Sequence, residues 1–424
     1  MNQLVEVLAE HQLSAAAKIA ARLTDALALP TSPQRDRGIA GSRCPGQSLS
    51  KGAAGVAVLH GVRAHAGLGD WDRAHQWLAY ATRDEVSAGP NAGLWHGAPA
   101  VAFAISVAAP SRRYPQAMKR LDAAVTALVQ ARLEAAAARI AAAQRPCRAE
   151  FDLVRGLTGL GAYLLRRDPG GRLIRQVLTY LVRLSEPFPA DDARHAIPGW
   201  WTNDIPHGRP ADVFHGGHAD CGMAHGISGP LSLLALAMRR GITVDGQVAA
   251  IGRICQWLDT WRHDDPAGPW WPERVTFAEL RAGRSTHSGP ARPSWCYGTP
   301  GIIRAQQLAA QAVGDLDRQR DAEQALAACL SDLAQLARFT DNALCHGWAG
   351  LIATTWYAAG DAMSPELAAH LPGLLDRLLT RVDADASRTG RTPGLIDGTA
   401  GIALVLHAIA TGTPGGWGTC LLIN

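Results

Sequence analysis

The stretch HGISGPLSLLALA, residues 225–237, joins a Gly-x-x-Gly turn to a run of apolar residues. The same arrangement, with alanine once in place of the second glycine, occurs seven times along the chain. Repetition of one short pattern at intervals of several tens of residues is the sequence signature of a helical array. The copies begin KGAAG at 51, HGAPA at 96, RGLTG at 155, HGISG at 225, YGTPG at 297, HGWAG at 346 and DGTAG at 397.

The spacing of the copies predicts two helices in each repeat. Their first glycines, from Gly52 to Gly398, are separated by 45 to 72 residues, which is room for two helices and their turns. The segments after the glycines are apolar on nearly every face, which indicates burial all round, whereas 117–142 sets Leu121, Val125 and Leu128 on one stripe. Seven buried helices alternating with seven amphipathic ones predict an all-α fold, an (α/α)7 toroid; an open solenoid is the alternative.

Composition and charge narrow the function classes. The net charge of +4 comes from 41 basic and 37 acidic residues with no basic block, so a nucleic acid is not expected as a partner. No linker-like segment divides the chain, and we predict one domain over residues 1–424. Glu6 and Glu10 interrupt the N-terminal segment where a signal peptide needs an apolar run, which favours a cytoplasmic protein.

The eight cysteines lack the close, regular spacing of a disulfide framework, and we expect reduced thiols. The segment FHGGHADCGMAHG, residues 214–226, resembles a metal tract through His215, His218 and Cys221, although an irregular loop is the simpler interpretation. The remaining cysteines outside the repeat turns are interpreted as ordinary thiols: Cys44, Cys147, Cys255, Cys329 and Cys420.

Residues that can carry chemistry stand at or just before the glycines of the third to sixth copies. If equivalent turns face one end of a toroid, these residues converge there. Two thiolates and an imidazole form a zinc set with a fourth position open, but two buried cysteines and a capping histidine are the alternative. Helix capping is likewise the alternative for the acidic residue and the other histidine. The residues are Asp152, His225, Cys296, Cys345 and His346.

The segments WCYGTPG at 295–301 and CHGWAG at 345–350, in this order, resemble the signature of the lanthionine cyclase family of lanthipeptide biosynthesis. Four further segments fall in the family's order, so that the resemblance covers nearly the whole chain. These are FDLVRGLTG at 151–159, AHGISG at 224–229, GPWWP at 268–272 and the terminal LLIN.

The resemblance implies a site and a reaction. It implies an α-toroid with zinc held by Cys296, Cys345 and His346, acid/base or orienting roles for Asp152 and His225, and a role for Arg292. The implied reaction adds peptide cysteine thiols to dehydroalanine or dehydrobutyrine, closing (methyl)lanthionine rings in a dehydrated precursor of leader and core peptide. A chain of 424 residues leaves no room for a fused dehydratase. We therefore expect a separate dehydratase and an export transporter as partners, in a cytoplasmic complex that can associate with the membrane.

Three other functions remain open. The same zinc site could add glutathione to dehydroamino acids in proteins, or the fold could serve as a non-catalytic scaffold. A carbohydrate-active or prenyl-transferring toroid would need a different site, and Asp152 lacks the partner carboxylate that a glycosidase requires. The segment 186–222 breaks helical periodicity, which predicts a lid or a surface for the substrate leader.

Overall fold

The computed structural model describes residues 2–30, 45–109, 113–188, 196–206, 208–384 and 392–424. The strands β1 (His218–Asp220) and β2 (Arg274–Thr276) pair antiparallel. The helices are α1 (Asn2–Val5), α2 (Glu10–Asp25), α3 (Ala53–His65), α4 (Trp71–Ala81), α5 (Ala98–Ala108), α6 (Pro115–Ala141), α7 (Arg148–Phe151), α8 (Leu157–Arg167), α9 (Arg172–Leu184), α10 (Ser228–Arg239), α11 (Gln247–Thr260), α12 (Phe277–Ala282), α13 (Thr299–Val313), α14 (Leu316–Ser331), α15 (Leu333–Leu336), α16 (Trp348–Gly360), α17 (Glu366–Ala369), α18 (Leu371–Ala384) and α19 (Thr399–Thr411).

A buried helix begins after the first glycine of every copy of the repeat. In α3 every residue from Ala53 to Arg63 is buried, and α19 is buried from Thr399 to Ile409. Burial on all faces is what an all-round apolar sequence favours, because no face gains by contact with water. The predicted buried helices are confirmed as α3, α5, α8, α10, α13, α16 and α19.

The helices between the copies are amphipathic. In α9 the buried side chains include Ile174, Val177 and Leu181, whereas Arg175 and Arg183 are exposed. In α6 the predicted stripe is buried at Val125 and Leu128, while Leu121 is half-buried. Among the described helices, none has the length and apolar composition that crossing a bilayer requires.

The chain forms two compact units. The first consists of Met1–Leu128, Thr340–Trp356 and Ala368–Gly418. Within it, backbone hydrogen bonds join the turns of the sixth, seventh, first and second copies in that order. The N–H groups of Cys345, Ile396 and Leu49 donate to the carbonyls of Ile396, Ser50 and Trp95 at 2.9, 3.1 and 3.1 Å.

The second unit consists of Val129–Phe339, Tyr357–Leu367 and Thr419–Asn424. Its turns are joined in the same way, since Leu153 donates to Ala224 and Ala224 donates to Cys296, each at 3.2 Å. Inside each unit, equivalent turns therefore lie side by side, as the repeat predicts. The strands β1 and β2 also belong to this unit and were not predicted, because three residues are too few to show a two-residue period.

The second glycine of the repeat is required by a close approach of the backbone. A Cβ atom at Gly301, Gly350 or Gly401 would stand 2.0 Å from the carbonyl oxygen of the residue six positions earlier. The helices that contain these three glycines, α13, α16 and α19, thus rest directly on their own preceding turns. The steric reason for the Gly-x-x-Gly pattern is this contact.

We expect Gly401→Ala to lower the free energy of unfolding by about 1–3 kcal/mol, because the new methyl group overlaps the Leu395 carbonyl in a packed core. The matched control is Gly373→Ala in α18, where a Cβ meets no atom within 4 Å. There alanine should stabilise the helix by up to about 1 kcal/mol. Urea unfolding followed by circular dichroism measures both, and equal effects would contradict the packing argument.

Candidate metal centre

The turn that carries Cys296 directly precedes α13 and is organised by Ser294. The Ser294 Oγ accepts the backbone N–H groups of Tyr297 and Gly298 at 3.3 and 3.2 Å. The Sγ of Cys296 lies 3.5 Å from the same hydroxyl, and the cysteine is 8% exposed. Ser294 therefore holds the turn before α13 and contacts the thiol of Cys296.

The turn that carries Cys345 and His346 directly precedes α16. Cys345 is half-buried, and the imidazole of His346 is one third exposed. His346 Nε2 lies 3.4 Å from Asp341 Oδ2, while Asp341 Oδ1 accepts the N–H of Ala343 at 2.9 Å. A carboxylate held by its own turn thus lies beside the ring of His346.

The three predicted zinc ligands form a group that could hold a metal ion. One ligand atom from each of Cys296, Cys345 and His346 lies within 4.8 Å of the other two. Tetrahedral zinc places sulfur and nitrogen donors about 3.4–3.8 Å apart, which is compatible with this limit. Two thiols and an imidazole are also donors that zinc prefers over hard cations. The residues present fit zinc.

Asp152 and His225 form a close pair. Asp152 Oδ2 lies 2.6 Å from His225 Nδ1, and the aspartate side chain is 2% exposed. The other oxygen, Oδ1, accepts the backbone N–H groups of Arg155 and Gly156 at 2.6 and 2.9 Å. One oxygen of Asp152 therefore holds the turn before α8 while the other faces the histidine, and a catalytic role for the pair stays a prediction.

The hydrogen bond to Asp152 assigns the nitrogens of His225. A carboxylate only accepts, so Nδ1 donates and Nε2 is the nitrogen left for other partners. The ring is one third exposed, and its centroid lies 6.1 Å from that of Tyr297, the residue after Cys296. The histidine therefore stands beside the turn that carries the first thiol.

Arg292 lies at the start of the same loop and is half-buried. Its carbonyl oxygen accepts the N–H of Ser294 at 2.7 Å, so its backbone is part of the turn that precedes Cys296. The role of its guanidinium group stays a prediction.

Residues 45–422 match the family model described as lanthionine synthetase C-like protein. The chain belongs to this family. The nisin biosynthesis protein NisC of Lactococcus lactis subsp. lactis is 22% identical to it over 206 residues, which is 48% of this chain and 48% of that protein. The alignment thus spans about half the length of this curated relative.

The fold is confirmed by a solved structure. That of nisin cyclase superposes with a TM-score of 0.74 at 18% identity, covering 96% of each chain. The lanthionine synthetase C-like chain therefore has the predicted all-α fold of a helical toroid.

His215, His218 and Cys221, in the segment 214–226, do not form a metal-ligating group among the described residues of this lanthionine synthetase C-like chain. His215 is exposed, whereas His218 lies buried in β1. Cys221 is fully buried, and burial raises the pKa of its thiol to about 12. The irregular-loop interpretation is wrong for 218–220, which pair with β2.

The described cysteines form no disulfide bonds. Burial raises the pKa of Cys255 to about 11 and that of Cys329 to about 12, so both are thiols near neutral pH. Cys147 is exposed, Cys420 is buried, and Cys44 lies outside the described residues.

Two features of the site were not predicted from the sequence. The first is Asp341, which lies beside the candidate ligand His346 from five residues earlier. The second is an ion pair of Asp220 with Arg274, whose guanidinium group packs on the Tyr297 ring. An aspartate shortly before a helix is a common cap, so the sequence signal for Asp341 was present but not distinctive. The ion pair joins residues 54 positions apart, which no local pattern connects.

Proposed function

We propose that this chain is a zinc-dependent lanthionine cyclase that adds peptide cysteine thiols to dehydroalanine or dehydrobutyrine in the same dehydrated peptide. The observation that carries the proposal is the group of Cys296, Cys345 and His346, whose ligand atoms lie within 4.8 Å of one another. The two cysteines are 49 residues apart in sequence. Family membership and the likeness to nisin cyclase support the same reaction.

Cys296, Cys345 and His346 would hold the zinc ion, and Asp341 would keep His346 in the ligating orientation. When bound, zinc supplies the positive charge that deprotonates a thiol near neutral pH, where a free cysteine with a pKa of about 8.5 is mostly protonated. Ser294 holds Cys296 in place through the Oγ contact at 3.5 Å.

Ring closure needs no external reactant. A sulfur–Cβ bond forms, the Cα–Cβ double bond breaks, and its electron pair moves onto the carbonyl as an enolate. The thiol loses one proton and Cα gains one, so the reaction consumes and releases no proton overall. His225 would take up the thiol proton at Nε2 and deliver it to Cα, since Asp152 holds Nδ1 and stabilises the protonated ring between these two transfers.

The enolate carries developing negative charge, and a cation placed beside it lowers the barrier. Arg292 would supply that cation, because its loop leads directly into the turn of Cys296. The planar guanidinium offers several donors to an oxygen, whereas an ammonium group is a point charge.

The substrate would be a dehydrated precursor of leader and core peptide, supplied by a separate dehydratase and passed to an export transporter in the cytoplasm. We propose one toroidal domain for residues 1–424 and a substrate-facing role for the segment 186–222, of which 189–195 and 207 lie outside the described residues. Trp200 and Trp201 are buried in this segment, whereas Ile205 and Val213 are each 53% exposed. Buried aromatic anchors beside exposed apolar side chains suit a surface that binds peptide.

The proposal is tested with protein purified without chelator. We expect about one zinc per chain by elemental analysis, and conversion of a dehydrated peptide to thioether rings, followed by mass spectrometry after thiol trapping. A parallel reaction offers glutathione and a dehydrated peptide without cysteine. Glutathione addition without ring closure would replace the proposal by the small-thiol function, and absence of zinc would overturn it.

We expect Asp341→Ala to weaken zinc binding by about 10–100-fold, because the carboxylate that orients His346 is lost. Competition with a chromogenic chelator measures the affinity. The matched control is Asp332→Ala, which removes an N-cap bonded to Ala334 and Gln335 in α15. Equal zinc affinity in the two variants would show that Asp341 merely caps its own turn.

A further inference from the structure

The ribbon of β1 and β2 places two opposite charges face to face. Its register pairs Asp220 with Arg274, and Arg274 Nε lies 2.7 Å from Asp220 Oδ1. The two side chains are 1% and 13% exposed. Directly opposed charges on neighbouring strands hold each other in one geometry.

Asp220 is a fixed anchor for the arginine. Burial alone would raise the pKa of the Asp220 carboxyl, but the neighbouring His218 and the charges of Arg274 and Arg148 leave that pKa below its usual value. Arg148 NH1 lies 3.4 Å from Asp220 Oδ2. The carboxylate is therefore charged, and its two oxygens face two different arginines. A buried ion pair is a poor source of stability, so a use in positioning is the better explanation.

Arg274 faces the aromatic ring next to the first metal ligand. Its guanidinium carbon lies 4.8 Å from the centroid of the Tyr297 ring, which is cation–π geometry. Gly222 packs against Tyr297, because a Cβ at position 222 would stand 2.8 Å from Tyr297 Cδ1 and 2.4 Å from the Cys296 carbonyl oxygen. The ring is thus confined by Arg274 and Gly222, with the His225 ring 6.1 Å away.

We propose that Arg274, anchored by Asp220, is a positioning residue for cyclisation that holds the Tyr297 ring beside His225 and thereby fixes the turn presenting Cys296. The inference rests on the proposed function for its catalytic consequence, but the contact of Arg274 with Tyr297 can be tested without it. Arginine suits the role better than lysine, because its Nε can face Asp220 while its flat group covers the ring.

The first arm of the test follows the ring itself. Protein labelled with 3-fluorotyrosine gives a fluorine NMR signal for residue 297, assigned by its loss in Tyr297→Phe. We expect Arg274→Met to shift or broaden this signal, and Asp220→Asn to do so more weakly. The control Arg239→Met breaks a pair with Asp361 at the far end of α10 and should leave the signal unchanged. An unchanged signal in Arg274→Met overturns the proposal.

The second arm measures turnover. We expect Arg274→Met to lower kcat by about 10–100-fold with KM and zinc content nearly unchanged, since small displacements of reacting groups have effects of this size. Arg274→Lys, which keeps the charge, should recover part of the rate, and it replaces the methionine variant if that one does not fold.

The positioning role also predicts that the two residues act as a unit. In a Tyr297→Leu background, Arg274→Met should change kcat by less than about 2-fold, because the ring that it positions is gone. Independent, multiplying losses would overturn the proposal. A wild-type protein without turnover would overturn the proposed function, while the fluorine signal would still decide whether Arg274 holds Tyr297.

Discussion

Replacing Cys345 with alanine is expected to remove zinc from the protein and to abolish cyclisation. The variant keeps one thiol and one imidazole, and two protein ligands are too few for the sites that zinc normally occupies. Elemental analysis measures the metal, and mass spectrometry of a dehydrated peptide measures ring formation. The same result is expected for Cys296→Ala and His346→Ala.

The matched control is Cys255→Ala in α11, a buried cysteine outside the ligand group. Because burial raises the pKa of Cys255 to about 11, it is a thiol near neutral pH, and its loss should change neither zinc content nor turnover. Helical circular dichroism should survive in every variant, since the core consists of the apolar helices described above. One zinc per chain with normal turnover in Cys345→Ala would contradict the site, and a wholesale loss of helix would make the metal structural.

Asp152→Asn is expected to lower kcat by about 10²–10⁴-fold while zinc content and fold persist. Asparagine can keep the Oδ1 acceptor for the N–H groups of the turn before α8, but it places an amide where Oδ2 faces His225 Nδ1. The histidine then loses the charge that stabilises its protonated form and the partner that selects its tautomer. Single-turnover kinetics with a dehydrated peptide measure the effect, and His225→Ala should show a loss of similar size.

The control separates this effect from the loss of hydrogen bonds within the turn. Ser48 stands four residues before Gly52, as Asp152 does before Gly156, and its Oγ accepts the N–H of Lys51 at 3.2 Å. Ser48→Ala should therefore lower stability by about 1 kcal/mol and leave kcat unchanged. Wild-type kcat in both Asp152→Asn and His225→Ala would reduce the pair to caps. Loss of zinc in either variant would instead assign it to the support of the metal.

The sequence by itself determined the helices and the turns that carry the site. The all-round apolarity after each glycine and the stripe in α6 are periodic patterns set by near neighbours, and such patterns fix which faces of a helix can be buried. The glycines are equally local, because the atom that excludes a Cβ at Gly401 is the carbonyl of Leu395, six residues earlier. The positions of cysteine and histidine at equivalent turns could therefore be read directly.

Only the tertiary structure decided which of these residues meet. The pairing of Asp152 with His225 spans 73 residues, and that of Asp220 with Arg274 spans 54. Each depends on how turns and strands pack side by side, which no pattern of neighbours in sequence encodes. The different partners of the two Asp152 oxygens also required the structure, since the sequence does not show what either oxygen contacts. Distances of 2.6 to 4.8 Å between residues far apart along the chain are set by the packing of whole helices.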